Sequence, residues 1–109
     1  MKRIALLITV SLAFAASTAF AADAKDNWVK NCQKCHGADG KGQTVMGKKL
    51  KVKDYTDAKV QDAFKDEEAF KITKEGKKED GKDMMPAYAE KLSDQEIKDL
   101  VAYVRKFKK

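Results

Sequence analysis

Scarcity decides more than abundance in this 109-residue chain. It has one histidine, His36, so a multi-histidine metal cage cannot be built. Its two cysteines, Cys32 and Cys35, are three residues apart, and a disulfide there would close a tiny loop and remove little unfolded-state entropy. Six glycines form neither GxGxxG nor GxxxxGK[ST], which leaves nucleotide-binding folds without their phosphate loop. A Ser-His-Asp hydrolase needs a larger scaffold than this single-domain length allows. No alternating strand pattern, internal repeat or low-complexity tract is present. The expected fold is all-α.

The first residues read as a targeting segment. Met1-Lys2-Arg3 is a positive start, Ile4 to Ala16 carries no charge, and Ala19-Phe20-Ala21 is a small-x-small cleavage signature. The expectation is a secretory signal peptide over residues 1–21 and one domain over residues 22–109. An uncleaved anchor competes, because the uncharged run from Ile4 to Ala22 has 19 residues, within the roughly 17–25 that a spanning helix needs. Against it, the second half of that run is only weakly apolar, and Asp23 to Asp26 is not a basic stop-transfer flank. After cleavage no membrane insertion is expected, and the location is the periplasm.

Loss of Lys2 and Arg3 lowers the formal charge from +6 to +4 over the remaining 88 residues. An exported protein does not meet nucleic acid, so no nucleic-acid partner is expected. A weak positive field fits docking to acidic protein partners. So short a chain has a thin core and needs a staple.

Cys32-Gln33-Lys34-Cys35-His36 supplies the decisive pattern. Cys-x-x-Cys-His is the attachment signal of c-type haem. On a short helical turn the two cysteines share a face and each reaches one porphyrin vinyl group, while His36 turns its imidazole toward the iron. A thioredoxin-like dithiol would need a βαβ pattern, and none is visible. A zinc site would need two further cysteine or histidine ligands, and the chain has none.

Helical signals surround the motif. Asp26 to Cys35 predicts a first helix with Trp28, Val29 and Cys32 on one face, and Gly37, Gly40 and Gly42 open a loop behind it. Residues 43–60 hold sparse apolar anchors, Leu50, Val52, Tyr55 and Val60. Asp66 to Lys74 predicts a helix with Phe70 buried and Gly76 as its stop, and Lys77 to Asp83 reads as an exposed loop. Ser93 to Glu96 is a capping box, followed at helical spacing by Ile97, Leu100, Val101, Val104 and Phe107.

Taken in order, Trp28, Cys32 to Gly42, Met85-Pro86-Ala87-Tyr88, Leu92-Ser93-x-x-Glu96-Ile97 and Val101 to Arg105 resemble the small bacterial class I cytochromes c, of the c6-like monohaem kind. The resemblance covers nearly all of residues 24–109. It implies N- and C-terminal helices packed together around one covalently bound haem c, with Trp28 and Tyr103 at their contact.

The resemblance implies a methionine as second axial ligand, and the chain has four. Met1 leaves with the signal, and Met46 lies only ten residues after His36. Met84 and Met85 are far enough along the chain, and adjacent extended residues point oppositely, so one of them alone can bind. Pro86 restricts the residue before it, which favours Met85 over Met84. The family pattern of Met before Pro-x-Tyr selects the same residue. Met84 would then pack in the cleft.

Cofactor-binding residues are thus Cys32, Cys35, His36 and Met85, the last two as iron ligands. Imidazole opposite thioether fills both axial positions and favours Fe(II). The implied function is that of a monomeric carrier of single electrons between a donor and an acceptor redox protein, not an enzyme. Lys34, Lys41, Lys48 and Lys49 are candidate docking residues. Two alternatives differ at the iron. A haem-based sensor or gas-binding protein needs a labile distal ligand, and a peroxidase-like enzyme needs a distal histidine or arginine. Only Arg105 could serve the latter, and it sits in the terminal helix.

Overall fold

Side-chain caps set where most helices begin in the computed structural model, which describes residues 23–109. The Asp23 carboxylate accepts from the Lys25 amide at 3.3 Å and starts α1 (Ala24–Asn31). A short turn, α2 (Gln33–His36), follows directly. Thr44 opens α3 (Val45–Leu50) and Asp57 opens α4 (Ala58–Asp62) in the same manner. α5 (Asp66–Glu75) has three acids in its first turn and stops at Gly76, as predicted. Ser93 and Glu96 form the reciprocal capping box of α6 (Asp94–Arg105), with both bonds at 3.1 Å. The predicted signal segment lies outside the described residues.

The first helix differs from expectation in two respects. It starts earlier and breaks at Cys32, giving α1 and α2 instead of one element. Val29 is 53% exposed, whereas Asn27 and Trp28 are buried. A helix turns about 100° per residue, so Cys32 returns to the face of Trp28 and Val29 swings out. Asn27 takes the inner position instead, and its amide donates to Glu96 at the start of α6 at 3.0 Å.

α1 packs against α6. The Trp28 ring lies 5.6 Å from Tyr103 and 5.1 Å from Phe107, the helix contact that the sequence predicts. Trp28, Cys32, Tyr88, Leu92, Ile97 and Leu100 form the buried cluster, with Phe70, Met85 and Val104 half-buried around it. Each large apolar side chain fully buried here contributes about 1.5–3 kcal/mol. Arg105 ties the other helices on: it donates to Asp66 at 2.8 Å and to the Phe64 carbonyl at 2.8 Å, with its guanidinium 4.1 Å from the Phe64 ring centre.

The segment read as an exposed loop is a hairpin. β1 (Lys77–Glu79) pairs antiparallel with β2 (Lys82–Met85), placing Lys77 opposite Met85, Lys78 opposite Asp83 and Glu79 opposite Lys82. Asp80 and Gly81, at φ 51° and 75°, make the connecting turn. The strand signal was missing because every residue of β1 is exposed, so no apolar alternation marks a buried face. Around this small sheet the domain is helical.

Candidate haem-attachment site

The Cys32 to His36 turn is held by its own backbone and clamped from outside. Cys35 and His36 amides donate to the Cys32 carbonyl at 3.2 and 2.9 Å. The Gly42 amide donates to the His36 carbonyl at 2.8 Å, and the Trp28 indole N–H donates to the Gly37 carbonyl at 2.9 Å. On the other side the Thr44 hydroxyl donates to the Cys35 carbonyl at 2.9 Å and accepts from the Gly47 amide at 2.8 Å. A Cβ at position 47 would collide with the carbonyls of Cys35 and Gly42, so only glycine lets α3 approach this closely.

Both cysteines are free; Cys32 is 7% exposed and Cys35 half-buried. Burial, and next the neighbouring Cys35 sulfur, push the Cys32 thiol up to about 12. A redox-active dithiol needs an accessible thiolate, and this environment suppresses one. Among the described residues no cluster of three or more histidine, cysteine or acidic side chains could hold a metal ion, which disposes of the zinc alternative there.

The His36 imidazole lies between two aromatic rings, with Trp28 at 5.6 Å and Tyr55 at 5.4 Å between centres. Burial depresses its pKa and keeps the ring neutral. Its Nδ1 is buried with no hydrogen-bond partner. A neutral, half-buried imidazole with a buried, unsatisfied nitrogen, beside two unpaired thiols on one turn, fits a covalently held haem.

Met85 reaches the same apolar cluster from the far end of β2 and packs against it, half-buried. Met84 and Met46 are half-buried but do not belong to that cluster. The methionine segment is fixed from two sides. Gly76, at φ 80°, lets α5 end directly against it; a Cβ there would lie 2.8 Å from the Met85 carbonyl oxygen. Beyond Pro86, the amides of Tyr88 and Ala89 donate to the Thr73 and Lys74 carbonyls of α5 at 3.1 and 3.2 Å. Tyr88 then crosses to α1, where its hydroxyl donates to the Asn31 carbonyl at 2.7 Å. Burial, then the sulfurs of Cys32 and Cys35, raise the Tyr88 pKa, so this phenol stays protonated beside the cysteine pair.

The site therefore gathers Cys32, Cys35 and His36 on one turn and brings Met85 to the adjoining core. Sequence reasoning assigned no site role to Tyr55, Thr44 or Gly47. The pairing of Tyr55 with His36 spans 19 positions and leaves no local pattern. Arg105, the one candidate for a peroxidase-like distal group, is engaged by Asp66, Gln61 and Phe64.

The family model described as cytochrome c oxidase, cbb3-type, subunit III matches residues 19–104. Among solved structures, the KustC0563 c-type cytochrome is 34% identical at a TM-score of 0.69, covering 80% of this chain and 99% of that one. A mutant of the same cytochrome, with tyrosine replaced by phenylalanine, is 36% identical at a TM-score of 0.69, with 79% and 99% covered. No curated protein sequence matches. The chain belongs to the c-type cytochrome family: it is a small monohaem class I cytochrome c, an electron-carrying protein with covalently bound haem c.

Proposed function

We propose that this cytochrome is a periplasmic carrier of single electrons whose haem is held by Cys32 and Cys35 thioethers and ligated by His36 and Met85. The observation that carries the reading is the fixed methionine arm. Met85 packs on the cluster that contains Cys32 and Trp28, while Met84 does not. Haem c supplies one-electron exchange between Fe(III) and Fe(II) when bound.

The chain's own residues set the conditions for that exchange. Trp28 and Tyr55 confine the imidazole, and burial keeps it neutral, so His36 can ligate without first losing a proton. Gly76 and Tyr88 hold the methionine arm, from which Met85 would occupy the position a substrate would otherwise need. The thioether and the apolar surroundings both favour Fe(II) and raise the potential.

Charge distribution supports the choice of partner. From Trp28 to Lys53 there are seven lysines and one acid, whereas the remainder of the chain after Lys53 carries 13 bases against 14 acids. The ion pairs of the described residues fall in that second part, between Asp62 and Lys108. Lys34, Lys48 and Lys49 are exposed beside the attachment turn, with Val45 86% exposed among them. This face suits an acidic redox partner. The oxidase named in the family's description suggests a respiratory oxidase as the class of acceptor.

Export follows from residues 1–21, and the mature N-terminus is expected at Ala22. N-terminal mass analysis of periplasmic protein checks it; an intact Met1 in the membrane fraction contradicts it. A carbon monoxide challenge of the reduced protein tests the function. Slow, incomplete binding at neutral pH is expected, since the ligand must displace a restrained thioether. Rapid and complete binding replaces the carrier with a haem-based sensor.

A further inference from the structure

Gln61 is 2% exposed, one of the two most deeply buried polar side chains described here, and it lies in α4 away from the attachment turn. Its amide nitrogen donates to the Tyr55 carbonyl at 2.7 Å and to the Val104 carbonyl of α6 at 2.9 Å. Its amide oxygen accepts from the Arg105 guanidinium at 3.0 Å, and that guanidinium also donates to the Gln61 main-chain carbonyl. These bonds are part-buried around a Gln61 side chain that is itself buried, and a polar network in which each group is satisfied fixes one geometry.

What the network fixes is Tyr55. Its amide donates to the Gly40 carbonyl at 2.8 Å, and its carbonyl is taken by Gln61, so its backbone is restrained from both sides. Its ring has Phe64 edge-on at 5.9 Å and His36 at 5.4 Å with a 31° tilt. His36 Nδ1 has no hydrogen-bond partner among the described residues. Orientation of the imidazole therefore rests on the rings around it, and the placement of one of those rings rests on Gln61.

We propose that Gln61, held by Arg105, is a positioning residue for the axial histidine: it sets the place of Tyr55, and Tyr55 sets the angle of the His36 ring. The inference rests on His36 being an iron ligand, as proposed above. Imidazole orientation governs how unpaired spin spreads over the four haem methyl groups of the oxidised protein, and the groups that hold a ligand in place tune the metal it binds. A change at Gln61 must then appear in the spectrum of the haem, although Gln61 itself need not touch it.

The test uses the haem-loaded full chain. Gln61→Met keeps length and volume but removes all the side-chain bonds. The expected result is a redistribution of the hyperfine-shifted haem-methyl resonances, shared in direction by Tyr55→Leu, together with a shifted reduction potential. Asp66→Ala removes an exposed partner of Arg105 and should leave the methyl pattern unmoved. Should Gln61→Met fail to accumulate, Arg105→Lys, which loses the forked contact to Gln61, gives the same reading. An unchanged methyl pattern in these variants, with only thermal stability reduced, overturns the positioning role. A wild-type protein lacking imidazole-ligated low-spin iron overturns instead the assignment of His36.

Discussion

The two segments that would supply the iron's ligands under the proposed function are built on different principles. The attachment arm, from Trp28 to Gly47, is tied internally by hydrogen bonds between residues close in sequence, with the Trp28, Thr44 and Gly42 bonds all within nine positions, and Trp28 adds ring contacts to Tyr103 and Phe107. The methionine arm, from Lys77 to Tyr88, is held by a hairpin whose first strand is fully exposed, by the Gly76 approach and two amide bonds to the end of α5, and by one phenol that spans 57 positions to Asn31. Local contacts form cheaply and re-form quickly; long-range ones depend on the whole fold. The difference predicts where the site opens. The histidine side is the fixed wall, and the methionine side is the door.

The largest effect comes from breaking the fixed wall. Replacing Cys32 and Cys35 together with serine should abolish haem retention through acid-acetone extraction and leave a largely unfolded chain by circular dichroism, because Cys32 is itself a core residue. A well-folded, haem-free double variant contradicts this. Next, Trp28→Ala removes the ring shared by α1, His36 and α6. A loss of about 3–5 kcal/mol in denaturant unfolding is expected.

Breaking the door costs less stability but more ligation. Gly76→Ala forces a residue with a side chain to φ 80° against the Met85 carbonyl. It should destabilise the protein by more than about 1 kcal/mol and speed carbon monoxide binding. Tyr88→Phe removes only the hydroxyl bond to Asn31. About 0.5–1.5 kcal/mol is expected from its loss, again with faster carbon monoxide entry, and equal rates in both proteins would show that the methionine arm is no looser than the other.

The smallest effect is on pH dependence. The Ser93 amide, and next the Asn27 amide, hold the Glu96 carboxyl below its ordinary 4.5. A carboxylate with a depressed folded pKa adds stability that is fully present above its unfolded value and disappears as pH falls through the folded one. The urea midpoint should therefore drop below pH 4.5, and Glu96→Gln should flatten that part of the profile.

How much of this was legible in the sequence follows the same division. The attachment turn, the Gly76 stop and the α6 capping box are written in local spacing and were readable, whereas the Trp28–Tyr103 contact, 75 positions apart, was expected only from the family resemblance. The hairpin was not, because an exposed strand carries no apolar alternation; Asp80-Gly81 was its only local mark. Val29 was misplaced because neighbouring apolar residues in a helix differ in direction by about 100°. Tyr55 and Gln61 acquire their roles from partners 19 and 43 positions away, and no periodicity records such a pairing.

The central claim is that Met85, and not Met84, completes the iron's coordination. The far-red sulfur-to-iron charge-transfer band of the oxidised protein tests it most directly. The band should be present in the wild type, persist in Met84→Ala and vanish in Met85→Ala, with a lowered reduction potential in the last. A band that survives in Met85→Ala, or is lost in Met84→Ala, contradicts the account.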